Sequence, residues 1–259
     1  MKKYQLVIYG LVAFPLIGGT VEKGDDTKTG IGVDASIGIG VGSSLYPAIH
    51  KTNIKPFFAL DLSLNNFYIG LGEIGYNQPL NDNLTLSLFV SPFDGFAVKG
   101  KHLQDGYQSI QERKTQFAIG GRLSYDLNGL PGLTDTLLLL EGNTGKRGIS
   151  GGVMLTRNFS LSQQFVLSPY IGTSYYSSKY TDYYFGIKEA ELGGKITSVY
   201  KAKAAHAANV GINANYAFTD NIGIGLSVGW DKYSKQVKHS PIIKRDSQIT
   251  SALNIHYTF

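Results

Sequence analysis

The sequence predicts an all-β chain, an antiparallel transmembrane β-barrel of about twelve strands with ten as the alternative count, on three observations. The first is the stretch Gln248–Phe259. Ile249, Leu253, Ile255, Tyr257 and Phe259 are apolar at odd positions there, and only Ser251 breaks the row. Thr250, Asn254, His256 and Thr258 take even positions, so a strand here shows one greasy face and one mostly polar face. Its length suits a tilted strand crossing an outer membrane, which needs roughly 9–11 residues. The second is the stretch from Gly30 to Gly42, where Ile31, Val33, Ala35, Ile37, Ile39 and Val41 oppose a row of glycines with Asp34 and Ser36. A soluble sandwich would ask for larger side chains on its solvent face; a barrel wall puts lipid on one side and a crowded lumen on the other. The third is composition. The chain holds 32 Gly, 17 Tyr and 13 Phe, and only 17% of it is charged, below the usual quarter of a soluble domain.

The same composition excludes several classes. No stretch approaches the ~20 continuous apolar residues of a spanning helix, and the mean hydropathy of −0.06 excludes a bundle of them. With no cysteine there is no thiolate chemistry and no disulfide. The net charge of +5 comes without a dense basic run or basic helix, so no nucleic-acid partner is expected.

Met1-Lys2-Lys3 followed by an apolar run from Tyr4 to Ile17 reads as a secretory signal, although Gly18-Gly19-Thr20 lacks an Ala-x-Ala cleavage pattern. Residues 1–19 are therefore expected to be a signal peptide, 20–29 a polar linker and 30–259 the barrel. After the first strand, Phe58, Leu60, Leu62 and Leu64 mark a second over 54–64, and Asn65-Asn66 turns the chain into a third over 67–76. Asn77–Asn83 is rich in turn formers, and Leu84, Leu86, Leu88 and Val90 resume the alternation. Phe117, Ile119, Leu123 and Tyr125 mark the next strand, before a turn at Asn128–Gly132. Thr136–Glu141 pairs with Ile149–Thr156, Phe165–Tyr176 follows, and His206–Phe218 with Ile222–Asp231 makes a hairpin around Thr219-Asp220-Asn221. Long connections fall at 91–114, 177–205 and 231–247, and short turns at one end with long loops at the other are the build of an outer-membrane barrel. This reading yields eleven strands, and bacterial barrels have an even number. Either Tyr4–Phe14 supplies another or two of these strands are one.

The chemistry-bearing patterns are weak. Gly70-x-Gly72-x-x-Gly75 matches the dinucleotide fingerprint but sits in an alternating strand with no helix behind it, so no cofactor is expected. His50, His102, His206, His239 and His256 have no metal-ligand spacing, so no metal site is expected. No Gly-x-Ser-x-Gly elbow is present, no recognisable nucleophile–base pair stands out, and the chain reads as a non-enzyme without catalytic residues. Asp34, Asp61, Arg122, Asp126, Asn213, Asn215 and Asp231 oppose the apolar rows. They read as a lumen hydrogen-bond network, or as the lining of a pore.

Three sets of residues together resemble the MltA-interacting protein family of outer-membrane proteins, also called MipA/OmpV. They are Asp182-Tyr183-Tyr184-Phe185-Gly186-Ile187, Ser240-Pro241-Ile242-Ile243 and the Leu253–Phe259 end, with a weaker match at Glu112-Arg113-Lys114 before Gly120–Tyr125. Leu192-Gly193-Gly194-Lys195 departs from the family pattern. The Tyr257-x-Phe259 ending is similar to the sorting signal read by the barrel assembly machinery. What the resemblance implies is a multi-pass barrel in the outer membrane of a Gram-negative bacterium. It further implies a scaffold that brings a lytic transglycosylase together with a murein synthase, and family-marking loop residues Tyr183, Tyr184, Phe185, Gly186, Ser240 and Pro241. A small-solute channel and a surface adhesin are the alternatives. The expected lipid partners are the outer membrane itself and lipopolysaccharide, drawn to the basic residues between 231 and 247.

Overall fold

The structure, a computed structural model, describes residues 31–49, 52–70 and 72–259. The predicted signal, the linker and the Tyr4–Phe14 stretch lie outside the described residues. The strands are β1 (Ile31–Ser43), β2 (Thr52–Leu64), β3 (Phe67–Gly70), β4 (Glu73–Asn81), β5 (Leu84–Asp94), β6 (Gln116–Asp126) and β7 (Thr136–Gly145). They continue as β8 (Gly148–Arg157), the two-residue β9 (Phe159–Ser160), β10 (Phe165–Tyr176), β11 (Ala205–Ala217), β12 (Ile222–Tyr233) and β13 (Ser247–Thr258). Every pairing is antiparallel between chain neighbours, and β13 closes on β1 with Asp34 opposite Thr258 and Gly42 opposite Thr250. Setting aside β9, which only flanks the start of β10, the wall is a closed barrel of twelve strands.

The described residues supply all twelve strands without the Tyr4–Phe14 stretch, and no two of the expected strands merge. The stretch 67–76, read from the sequence as one strand, is two: Gly70 pairs with Glu73 around a turn in which Gly72 has φ +86°. That turn is what the Gly70-x-Gly72-x-x-Gly75 pattern encodes, because φ > 0 costs glycine nothing. Two connections are also shorter than the sequence indicated, since β5 runs on to Asp94 and β7–β8 turn tightly at Lys146-Arg147.

The outward side chains are apolar and exposed, Ile37, Phe58, Ile119, Ile171 and Ile255 among them, which is the face a barrel presents to lipid. Inside, neighbouring strands satisfy each other. Serine hydroxyls donate to asparagine Oδ1 atoms from Ser87 to Asn77, Ser150 to Asn143, Ser168 to Asn158 and Ser227 to Asn213, each at 2.7 Å, and from Ser174 to Asn209 at 2.9 Å. Asn209 in turn donates to Asp231 at 2.6 Å.

Because strands alternate in direction, the connections 44–51, 95–115, 177–204 and 234–246 all emerge at one end. The turns at 65–66, 82–83 and 218–221, the longer ones at 127–135 and 158–164, and Phe259 lie at the other. In outer-membrane barrels the long loops face outward and the short turns face the periplasm. The apolar core of the chain sits among the outer loops.

Candidate functional site

Four outer loops fold over the mouth of the barrel as one packed cap. Its centre is Phe96, just past β5, whose ring lies 5.1 Å from Phe185, 5.7 Å from Tyr184 and from Tyr176, and 5.9 Å from Tyr233. Most of the pairs are edge-on or tilted, the arrangement aromatic quadrupoles favour. Leu45, Val98, Leu103, Ile110, Ile187, Ile196, Val237 and Ile242 complete the cluster, all of them buried.

The helix α1 (Ser178–Phe185) delivers the first family motif to this core. It starts where the Ser177 hydroxyl accepts from the Tyr180 N–H, a side-chain cap that satisfies one of the free donors of the first turn. Tyr184 and Phe185 are fully buried, and the Tyr184 hydroxyl donates to the Lys114 and Asp94 carbonyls at 3.1 and 3.3 Å. Tyr183 lies nearer the surface, under the Arg147 guanidinium at 4.3 Å, and its hydroxyl accepts from the Lys114 N–H. Burial pushes the Tyr46, Tyr180 and Tyr184 phenols well above their usual range, so they remain neutral donors. Tyr46, from the β1–β2 loop, donates to the Tyr184 carbonyl at 2.9 Å.

The two family motifs meet here. The Ser240 hydroxyl donates to the Phe185 carbonyl at 2.6 Å, and Pro241 leads into the buried Ile242. The weaker motif joins them: Arg113 donates to the Gly186 carbonyl at 3.0 Å and pairs with Glu191 at 2.7 Å. Glu191 is wholly buried and also accepts from the Gln111 and Lys188 N–H groups at 2.9 and 3.0 Å. A buried charge persists only when paired and hydrogen-bonded, and Glu191 is both. The sequence reading missed Glu191, which the motif spacing does not mark.

Below the cap, Arg122 spans the lumen. It makes a two-pronged contact with Glu73, 3.0 Å on each side, and donates from Nε to Glu141 at 2.8 Å. The Phe89 ring lies 5.0 Å from its guanidinium. Three strands thus contribute to one ion triad, of which only Arg122 was marked in advance. Of the other expected lumen groups, Asn213 and Asp231 join the pairs described above, while Asp34 meets Thr258 at the seam of the barrel and Asp126 binds Asn128 at the periplasmic rim. At the end of the chain, the Phe259 N–H donates to the Val33 carbonyl at 2.9 Å, and its ring stands edge-on to Tyr257 at 4.7 Å. Among the described residues no group of His, Asp and Glu is arranged to hold a metal.

The sequence pattern described as MltA-interacting protein MipA matches residues 35–259. The chain belongs to that family. A 24 kDa outer membrane protein of Pasteurella multocida is 46% identical over 263 residues, spanning 100% of this chain and 99% of that one. Outer membrane protein OmpV of Vibrio cholerae is 30% identical over 93 residues, 36% of each chain. Among solved structures, an outer membrane channel of Pseudomonas putida F1 covers 90% of this chain and 96% of its own at 10% identity, with a TM-score of 0.45. The NanC porin aligns at 10% identity over 86% of this chain and 100% of its own, with a TM-score of 0.42. This MipA-family barrel is an outer-membrane protein.

Proposed function

We propose that this MipA-family barrel is a non-enzymatic scaffold that links a lytic transglycosylase to a murein synthase, its wall serving as the membrane anchor. The observation that carries the reading is the occupied interior. The Arg122 triad and the serine–asparagine pairs place groups that satisfy one another along the lumen, and four loops pack together around Phe96 at its outer mouth. A barrel built this way offers surfaces instead of a path.

The surface that faces murein is the periplasmic rim, and two of its turns are larger and held together. The Arg157 guanidinium donates to the Gly132 carbonyl at 3.0 Å and the Asn158 N–H to the Asp135 carbonyl at 2.8 Å, tying 127–135 to 158–164. Leu130, Phe159 and Leu161 stand exposed on this ledge. The test is retention of murein enzymes from a membrane extract by the immobilised protein, together with conductance in planar bilayers. The scaffold reading expects enzyme retention, reduced by L130D/L161D, and little stable conductance. Steady ion-selective conductance with no murein enzyme retained would replace it with the channel.

A further inference from the structure

Charge is segregated along the barrel axis. Every lysine of the described residues stands in an outer loop or near the outer end of a strand. The periplasmic end is the reverse. Its turns and their flanks carry Asp82, Asp126, Asp135 and Asp220. Among the described residues the one lysine or arginine there is Arg157, and it is already committed. Its guanidinium donates to the Gly132 carbonyl at 3.0 Å and lies 5.0 Å from the Phe159 ring. Phospholipid headgroups, zwitterionic or anionic, offer these aspartates no counter-charge.

The acidic turns form one continuous arc. The Asp126 N–H donates to the Asn83 carbonyl at 2.7 Å, which joins the turn 82–83 to 127–135. Arg157 and Asn158 tie 127–135 to 158–164, as described above. On the far side, the Ala217 N–H and the Tyr216 hydroxyl donate to the carbonyl and Oε1 of Gln164 at 2.8 and 3.1 Å, which joins 158–164 to 218–221. The middle of the arc is pre-set. Asp135 is held at φ +57°, a left-handed conformation that few residues besides glycine, asparagine and aspartate enter, and its N–H donates to Asn128 Oδ1. Leu130 and Leu161 stand exposed in the turns themselves, beyond the strands that face lipid, with Phe159 beside them. The carboxylates of Asp82, Asp135 and Asp220 are exposed and hold nothing within the described chain. An apolar patch with a charged rim, on a support that needs no ordering, is the anatomy of a protein interface.

We propose that this crescent docks a basic face of a periplasmic protein, whose apolar side chains seat on Leu130, Phe159 and Leu161 and whose lysines or arginines meet Asp82, Asp135 and Asp220. The inference rests on the scaffold reading for what the partner is, and adds the chemistry of the face that partner offers. A phospholipid surface meets the apolar demand of the patch and fails the electrostatic one. Complementary charge of this kind steers the encounter, fixes register and rejects acidic competitors.

In cells, the full chain carries a photoreactive benzoylphenylalanine at Leu161, or at Ile171 as a control on the lipid-facing wall. Irradiation should join Leu161 to a protein, identified by mass spectrometry, and Ile171 to lipid. The variant D82N/D135N/D220N should cut the protein adduct at Leu161 about tenfold, the combined effect of three exposed charge pairs, and leave the lipid adduct at Ile171 unchanged. Asparagine suits the left-handed backbone at 135, and heat-modifiable migration reports that the barrel is folded. Should the triple variant not fold, D82N and D220N singly replace it, each lowering the adduct about twofold. A murein enzyme captured and then lost on substitution upholds crescent and scaffold together. Another identified protein, lost in the same way, upholds the crescent and removes the scaffold. A murein enzyme captured at undiminished yield leaves the scaffold standing and overturns the crescent. So would lipid adducts alone at Leu161, or no protein adduct at all.

Discussion

Replacing Glu191 with Gln should loosen the cap without opening the barrel. In the native cap Glu191 is fully buried, pairs with Arg113 at 2.7 Å and accepts two backbone N–H groups. The glutamine keeps the shape and loses the charge. Its amide NH2 must face either the Arg113–Gln111 side or the Lys188 N–H, a donor against donors. Arg113 retains the Gly186 and Gln111 carbonyls at 3.0 and 3.1 Å, but its charge stays buried without a counter-ion. Breaking one side of a buried pair costs about 3–5 kcal/mol.

That cost falls on the cap, since the barrel ladders do not involve these residues. The population of opened cap should therefore rise roughly 10²- to 10⁴-fold, at 1.36 kcal/mol per decade. Trypsin reads this directly, because Lys188 and Lys195 flank Glu191 in the 177–204 loop. When the loop opens and closes faster than it is cut, nicking follows the open population. E191Q should be nicked at least about a hundredfold faster while its unboiled band in SDS stays in the folded position. The double variant R113M/E191L should recover much of the resistance, because apolar residues can replace a buried ion pair at little cost. Nicking of E191Q at the native rate would refute the reasoning.

Other outcomes follow from the same geometry. Unboiled and boiled protein should migrate differently in SDS, with β-rich circular dichroism, because a closed ladder leaves no edge from which to fray at the β1–β13 seam. R122A leaves Glu73 and Glu141 facing each other without their shared cation, and the midpoint of heat-modifiable unfolding should drop by an amount corresponding to about 3–5 kcal/mol. Deleting Phe259 should lower the folded yield in the outer membrane while secretion continues, measured by fractionation. Neutralising Lys235, Lys244 and Arg245 should reduce lipopolysaccharide co-purification at low salt. The same loop has a pH signature: hydrogen bonds from Lys232 and then Lys238 hold the Asp246 carboxyl below its usual range. A depressed carboxylate stabilises above its unfolded pKa, so that loop should lose order only as pH falls through the lowered value, followed by amide exchange.

The wall was legible because one side of every strand dissolves in lipid. In β1 that requirement writes an unbroken period of two, in β13 one that only Ser251 interrupts, and both strands stand within a residue of where the alternation places them. The miss at 67–76 has a physical cause that was also written in the sequence. Phe67 and Ile69 face outward on odd positions, but Ile74 faces outward on an even one. A strand cannot change parity without a turn or a bulge. Gly72 supplies that turn with no Asn, Asp or Pro beside it to announce it.

The site was legible only in fragments, for a different reason. Tyr184, Phe185, Ser240 and Arg113 were singled out as motifs, yet nothing in their spacing says that Ser240 reaches across 55 positions to the Phe185 carbonyl or that Arg113 reaches across 73 to Gly186. Periodicity reports which way a side chain faces within one element and says nothing about where loops converge. The interior triad failed similarly, because Glu73 and Glu141 sit on the inward parity of strands read by their apolar rows. A barrel in lipid turns its apolar side chains outward and lets polar ones pair within, so the wall needs no apolar core of its own. The aromatic residues left over from the wall, Phe96, Tyr180, Tyr184 and Phe185, then gather where water would otherwise meet them. The loops, which composition alone would class as polar connectors, become the packed part of the molecule.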